Sequence, residues 1–372
     1  MTASPNRSYY PALDGLRGIA ILLVVFYHNF GFVKQSFFGW LGVDLFFVLS
    51  GFLITGILLK ELDQPNFLRN FYMRRVLRIF PLYYLTLFLF LFVVAPLTKD
   101  RIVWDYYQEH QFYLWTYLQN WLYIFHEPGQ AQALNHYWSL AVEEQFYIFW
   151  PLVMLVLRKP KYLLVFISLL LLGVILFRFG LWFYKIENLS YYNLYTFTRI
   201  DGICIGCIVA LLMHMNNNFI QRHTALIVLI FAVINFLFYF LNSFYAFSFP
   251  YIGLVGYTTF AMLFGLLLQE AVTGKTKIIN WILNLSFLKF FGRISYGFYI
   301  FHWPVYLLMN SYLLPVITTN KNSPVAQVSI SIIAALVAIL ISLISRRYFE
   351  AYFLNMKEKF TIPPARFYNK QA

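Results

Sequence analysis

Arg17 and His28 stand eleven residues apart in LDGLRGIAILLVVFYHNF, residues 13–30, a stretch otherwise fit for lipid apart from Asp14. At about 100° per residue, eleven residues close three helical turns to within about 20°. Both side chains therefore share one helix face, with about 16 Å between them along the axis. An ionisable group in a lipid-spanning segment carries a free-energy cost unless a partner or a function holds it there. A guanidinium at one end and an imidazole deeper in suit a long donor with a charged head. A coenzyme A thioester is such a donor, with phosphates at one end and a reactive carbonyl at the other. Arg17 would hold phosphate. His28, as neutral imidazole, would take the proton of an incoming hydroxyl. Taken singly, Arg17 reads as a snorkelling residue and His28 as a packing residue. Their shared face and different depths favour chemistry, with both groups looking into one tunnel. Asp14, at i,i+3, is placed to pair with Arg17.

Other polar residues sit in apolar surroundings. Glu143 and Glu144 adjoin in WSLAVEEQFYIF. Adjacent helical residues point about 100° apart, so one carboxylate faces a cavity, and Glu143 is preferred. The competing reading is an ion pair between Glu143 and Arg199. His302 lies about as deep as His28 and is a second candidate base or an orienting partner of the first. Asp44 and Ser50 share a span but not a face. Asp44 would steady an imidazole or contact the acceptor. A serine acyl-enzyme at Ser50 is discounted, because no Gly-x-Ser-x-Gly elbow surrounds it and helical serines commonly bond their own backbone. Arg74, Arg75 and Arg78 form a basic cluster suited to nucleotide phosphates or to lipid headgroups. Arg199 and Asp201 would bind an acceptor sugar or pair with each other.

Elements must position these groups, and composition says what kind. The chain has 372 residues, 61% hydrophobic and 12% charged, with a mean hydropathy of +0.65. A soluble domain carries about twice that charged fraction. The pattern is that of an all-α polytopic membrane protein with about ten spans around a central cavity. The spans fall near 13–33, 40–60, 80–98, 136–157, 162–183, 199–215, 224–241, 250–268, 291–314 and 325–345. The aromatic stretch 106–125 is too polar for a span and reads as a helix at the outer interface. FYMRRVLRIFPLYY reads as an interfacial helix. A formal net charge of +13 fits basic loops facing the cytosol and anionic headgroups rather than nucleic acid. With an N-in/C-in topology, 21 of the 28 Lys and Arg fall on the inner side; the exceptions are Lys34, Lys99, Arg101, Arg178, Lys185, Arg199 and Lys321. Cys204 and Cys207 form a lone C-x-x-C with no second pair for zinc, and read as small apolar residues. No cleavable signal peptide is evident. One membrane domain, 9–350, precedes a short polar cytosolic tail, 351–372, frayed from Asn355 onward.

The form LDGLRGIAILLVVFYH resembles acyltransferase family 3, the integral-membrane acyltransferases. Further segments carry the resemblance in order: GVDLFFVLSGFLIT (42–55), RRVLRIFPLYY (74–84), HYWSLAVEEQFYIFWP (136–151), RIDGICIGCIVA (199–210) and GRISYGFYIFHWPV (292–305). It implies transfer of an acyl group, commonly acetyl from acetyl-CoA, to a hydroxyl of a surface or lipid-linked glycan. On that basis His28, Glu143 and His302 are expected to catalyse, and Arg17, Arg74, Arg75 and Arg78 to hold the donor. Asp44, Trp138, Arg199 and Asp201 are expected to meet the acceptor. Acyl-CoA enters as a co-substrate, no cofactor or metal is expected, and the location is the cell membrane. The family's Glu-x-Pro after the last span is absent: RRYFEAYF has Glu350 without the proline. The chain is too short to add a hydrolase-like domain, so it would act alone or with a separate partner. A transporter or flippase of lipid-linked sugars is the rival reading, against which stand the lack of an inverted repeat and of matched broken spans.

Overall fold

A computed structural model describes residues 10–97, 101–129, 131–186, 188–217, 219–244, 251–318 and 323–361. Arg7, Lys99, Lys321, Arg366 and Lys370, all used in the charge split, lie outside them, as do residue 9 and 362–372. Among the described residues every regular element is helical. The long helices are α1 (Pro11–Asn29), α2 (Leu41–Glu61), α3 (Phe67–Leu89), α4 (Trp138–Leu157), α5 (Pro160–Phe183), α6 (Asp201–His214), α7 (Phe219–Phe244), α8 (Tyr257–Thr273), α9 (Ser286–Tyr312) and α10 (Pro324–Ile344), followed by a short α11 (Ala351–Lys357).

Eight segments of the described residues are long and apolar enough to cross a membrane. The expected span 199–215 falls short, and 224–241 is described only in part. The first is α6, fourteen residues long and hence about 21 Å, against a hydrocarbon core of about 30 Å. It is buried in the bundle from Asp201 to Cys207, so protein rather than lipid surrounds it. The second lies in α7, 26 residues and hence about 39 Å long.

Three further expectations are corrected. The basic stretch before the third span is not a separate interfacial helix: α3 continues through a π-helical turn, so that one apolar unit runs Phe67–Leu97. The stretch 106–125 is not one helix but parts of three, Arg101–Glu109, Gln111–Trp115 and Gln119–Phe125. They break at His110 and around Tyr117, which has φ 56°. They are held by side chains rather than lipid: Tyr83 donates to the Leu114 carbonyl at 2.7 Å, and Gln119 to that of Tyr137 at 2.8 Å. The described part of the tail, 351–361, folds into α11 and a 3₁₀ turn, Glu358–Phe360, packed along α3.

The helices cross closely where glycine permits. A Cβ on Gly18 would meet the Leu288 carbonyl oxygen at 2.0 Å, and one on Gly292 that of Asp14 at 1.9 Å. Both lie between α1 and α9, so only glycine lets these backbones meet. That approach is what aligns the two helices bearing His28 and His302.

Candidate active site

The bundle has a basic end and a histidine end. At the basic end a cavity of about 610 Å³ opens, lined by Arg17, Arg74, Arg75 and Arg78 among others. Arg17 Nη1 donates to Asp14 Oδ1 at 3.1 Å, the pairing that the i,i+3 spacing implies. Arg75 lies 4.9 Å from the Tyr147 ring centre. Arg74 pairs with Glu61 and donates to the Phe360 carbonyl at 3.0 Å.

Further in, the cavity reaches Ser50, Glu143 and Tyr147. Glu143, not Glu144, lies on its wall. Its Oε1 accepts from Ser50 Oγ at 2.6 Å, so the expected alternative, a pair with Arg199, is not formed. The Ser50 hydroxyl also departs from its expected backbone bond. Ser139 and Tyr299 line the cavity too. The Tyr299 hydroxyl donates to the His136 carbonyl at 2.5 Å. Its proton being used there, it accepts from Ser139 Oγ, 2.6 Å away.

Behind that pair lie three histidines. His302 Nε2 is 3.0 Å from His28 Nδ1. His302 Nδ1 is 2.7 Å from the Tyr299 carbonyl, which can only accept. The Nδ1 of His302 is therefore the protonated nitrogen, and in the neutral ring its Nε2 carries a lone pair. His28 must then donate from Nδ1, with the Val24 carbonyl at 3.1 Å as a second acceptor. This leaves the lone pair of His28 on Nε2. His136 donates from Nε2 to the Ile300 carbonyl at 3.4 Å, with its ring centre 5.1 Å from that of His302. His302 and His136 are buried at 0% and 2% exposure, whereas His28 is half-buried. Trp303 stands beside His28, ring centres 5.1 Å apart.

The expectation of one tunnel shared by Arg17 and His28 is corrected here. Arg17 lines the cavity, but His28 does not. Ser139 of α4 and Tyr299 of α9 line it, and the Tyr299 ring lies 5.7 Å from that of His302, centre to centre. The sixteen-ångström rise along α1 is nevertheless intact, since α1 is one unbroken helix over both residues.

Three of the expected acceptor residues, Asp44, Arg199 and Asp201, join a buried ion-pair network. Arg199 Nη2 lies 2.7 Å from Asp44 Oδ1 and Arg178 Nη2 lies 2.8 Å from Asp201 Oδ2. Thr258 donates to Asp201 at 2.7 Å and accepts from Arg178 at 2.9 Å. Arg199 lies 3.5 Å from the Tyr257 ring centre and 5.3 Å from that of Trp138. All four charged groups are at most 2% exposed. Arg199 and Asp201 thus pair, but not with each other, and with Asp44 they brace α2, α5, α6 and α8. Such charges persist in low dielectric only when paired. Cys204 and Cys207 are buried free thiols, and among the described residues no group of His, Cys, Asp and Glu has the geometry for a metal ion.

Sequence reasoning missed Arg178, His136, Ser139 and Tyr299. A signal existed for Arg178, a lone guanidinium deep in the apolar run of α5. His136 and Ser139 lie in HYWSLAVEEQFYIFWP and Tyr299 in GRISYGFYIFHWPV, but nothing in those strings says that they meet.

Comparison with known proteins follows the same lines. The peptidoglycan O-acetyltransferase OatA of Listeria monocytogenes is 29% identical over 384 aligned positions, covering 96% of this chain and 59% of OatA. YrhL of Bacillus subtilis, provisionally named a peptidoglycan O-acetyltransferase, is 33% identical over 329 positions, 82% of this chain and 49% of YrhL. A Staphylococcus aureus protein provisionally named an O-acetyltransferase is 32% identical over 84% of this chain and 53% of its own length. The chain thus spans about half to three fifths of these relatives. No solved structure matches it. The family model described as an acyltransferase domain matches residues 10–345, nearly the whole described bundle, and the chain belongs to that family, acyltransferase family 3.

Proposed function

We propose that the protein is an integral-membrane O-acetyltransferase. It takes an acyl group, in the first instance acetyl, from cytosolic acyl-CoA and delivers it to a hydroxyl of a cell-wall or surface glycan on the far side. The basic end then faces the cytosol, giving N-in/C-in topology, and the membrane is the cell membrane. Peptidoglycan is the first acceptor to test, since it appears in the names of two relatives.

The observation that carries this reading is the order of groups along the bundle. Guanidinium groups of Arg17, Arg75 and Arg78 lie at one end of a cavity, suited to phosphates in a low-dielectric wall. Ser50 and Glu143 lie further in, and a histidine dyad with a defined free lone pair lies beyond. An extended pantetheine arm brings a thioester to Ser139 and Tyr299. Movement of those two side chains exposes the carbonyl to an acceptor hydroxyl on the His28 side. Nε2 of His28 takes the hydroxyl proton as the oxygen attacks, and the thiolate leaves with the nucleotide. His302, hydrogen-bonded to Nδ1, holds the ring and shares the positive charge that forms.

Turnover of labelled acetyl-CoA by protein in nanodiscs tests this. His28→Ala and Arg17→Ala, each inserting and eluting like the parent, are expected to lower transfer about 10²-fold or more. Undiminished transfer by both variants ends the proposal. Release of free CoA only when acceptor is present distinguishes transfer from a transport cycle.

A further inference from the structure

Along α2, from Gly42 to Ser50, every residue is buried in the bundle except Phe46 and Ser50. These two stand one helical turn apart on one face, and both line the cavity. The same wall follows α2 on to Lys60 and Glu61, so this unbroken helix measures the cavity. Arg74 pairs with Glu61, which puts the start of the arginine cluster at the C-terminal end of α2. Phe46 lies fifteen residues earlier, about 22 Å away along the axis.

At that far end the lining is apolar. The Phe46 ring stands edge-on to that of Tyr299, with centres 6.4 Å apart and planes at 78°. Val43, one turn before Phe46, and Leu140, next to Ser139, line the cavity as well. The backbone there has no room to yield. A Cβ on Gly51 would meet the Ile203 carbonyl oxygen at 2.0 Å, and one on Gly206 that of Val48 at 2.1 Å. α2 and α6 are thus already in backbone contact. Space at this end is set by side chains, and Phe46 is the one large apolar side chain of residues 42–50 that is not buried in packing.

We propose that Phe46, backed by Tyr299, sets the length of the acyl group, so that acetyl is transferred and longer acyl groups are refused. The proposal rests on the acyl-CoA reading above and deepens it by naming the acyl class and the side chain that selects it. A thioester carbonyl at Ser139 and Tyr299 leaves its methyl group against Phe46, Val43 and Leu140. Each further methylene must displace a ring held between fixed helices, and overfilling a packed apolar site is destabilising. One methylene more or less in an apolar pocket changes kcat/KM by about 10- to 200-fold.

The test assays the full chain in nanodiscs with acetyl-, propionyl- and butyryl-CoA. Its readout is the ratio of kcat/KM between donors within one preparation, which does not depend on the fraction folded. The parent is expected to favour acetyl over butyryl by about tenfold or more. Phe46→Ala removes the ring and raises the butyryl-to-acetyl ratio by about tenfold or more, and Phe46→Leu raises it less, should the alanine variant not insert. Phe46→Trp, with a larger ring, lowers the propionyl-to-acetyl ratio. Phe71→Ala opens comparable space on the same cavity wall, beside Arg75, 5.9 Å from that ring centre, and leaves the ratios as in the parent. A parent that uses butyryl-CoA as well as acetyl-CoA overturns the assignment, and so do ratios that the Phe46 variants leave unmoved; transfer from acetyl-CoA then keeps the donor reading intact. An equal rise in Phe71→Ala overturns it too, because the length limit would not lie at Phe46. Absence of transfer from every acyl-CoA removes both readings.

Discussion

At the scale of single residues, the polarity of a hydrogen-bond chain matters more than the presence of a histidine. The Tyr299 carbonyl accepts from His302, His302 accepts from His28, and His28 keeps its outer nitrogen free. This chain predicts a pattern that two independent bases would not give. His28→Ala should abolish most transfer, and His302→Ala should lower kcat by about 10- to 100-fold through loss of ring orientation. The double variant should be little worse than His28→Ala alone, since residues that act as a unit are not additive. Multiplicative losses in single-turnover assays would instead make His302 an independent participant. The sequence already marked both residues, because a histidine in an apolar span is conspicuous. It could not show that they touch, since 274 residues separate them.

At the scale of elements, buried charge does what apolar packing alone does not. α6 is too short to span; Arg199, in the short helical turn just before it, ties that end to α2, and Asp201 ties α6 to α5 and α8. Two of the seven basic residues assigned to the outer side, Arg178 and Arg199, are thus internal braces. Removing one partner leaves an uncompensated buried charge, at about 3–5 kcal/mol. Asp44→Asn and Arg199→Met should each lower the melting temperature in detergent, and the pair Asp44→Asn/Arg199→Met should be clearly less destabilised than the sum of the two. Strict additivity in thermal unfolding would show that the pair contributes nothing as a pair. These residues were legible as polar groups needing partners, but which partners they take depends on how four helices cross. Their reading as an acceptor site came from position along the chain, and the structure adds their pairing as a brace.

At the scale of the whole molecule, the arrangement has direction: cations at one end, imidazoles at the other, a wall of two hydroxyl groups between. Orientation in the membrane decides which substrate meets which end. With Cys204 and Cys207 replaced by alanine, Lys185→Cys should react with an impermeant maleimide from outside intact cells, and Lys159→Cys only after permeabilisation. Both positions are exposed. The opposite labelling would reverse the proposed flow of acyl groups. The tail belongs to this scale too. It was expected to fray from Asn355, yet its described part, to residue 361, is held by Arg74 and Arg69 at Phe360.

The sequence by itself determined that the chain is an all-helical membrane protein with a guanidinium and an imidazole on one face of its first helix. Helical period and hydropathy are local properties, written in consecutive residues. Tertiary structure alone decided that His28 meets His302 rather than Arg17's cavity, that Asp44 and Arg199 face each other, and that Arg74 holds the tail. Each of those depends on glycine-permitted helix crossings such as Gly18 against Leu288 and on the requirement that buried charges find partners, and both are settled between segments far apart in the chain.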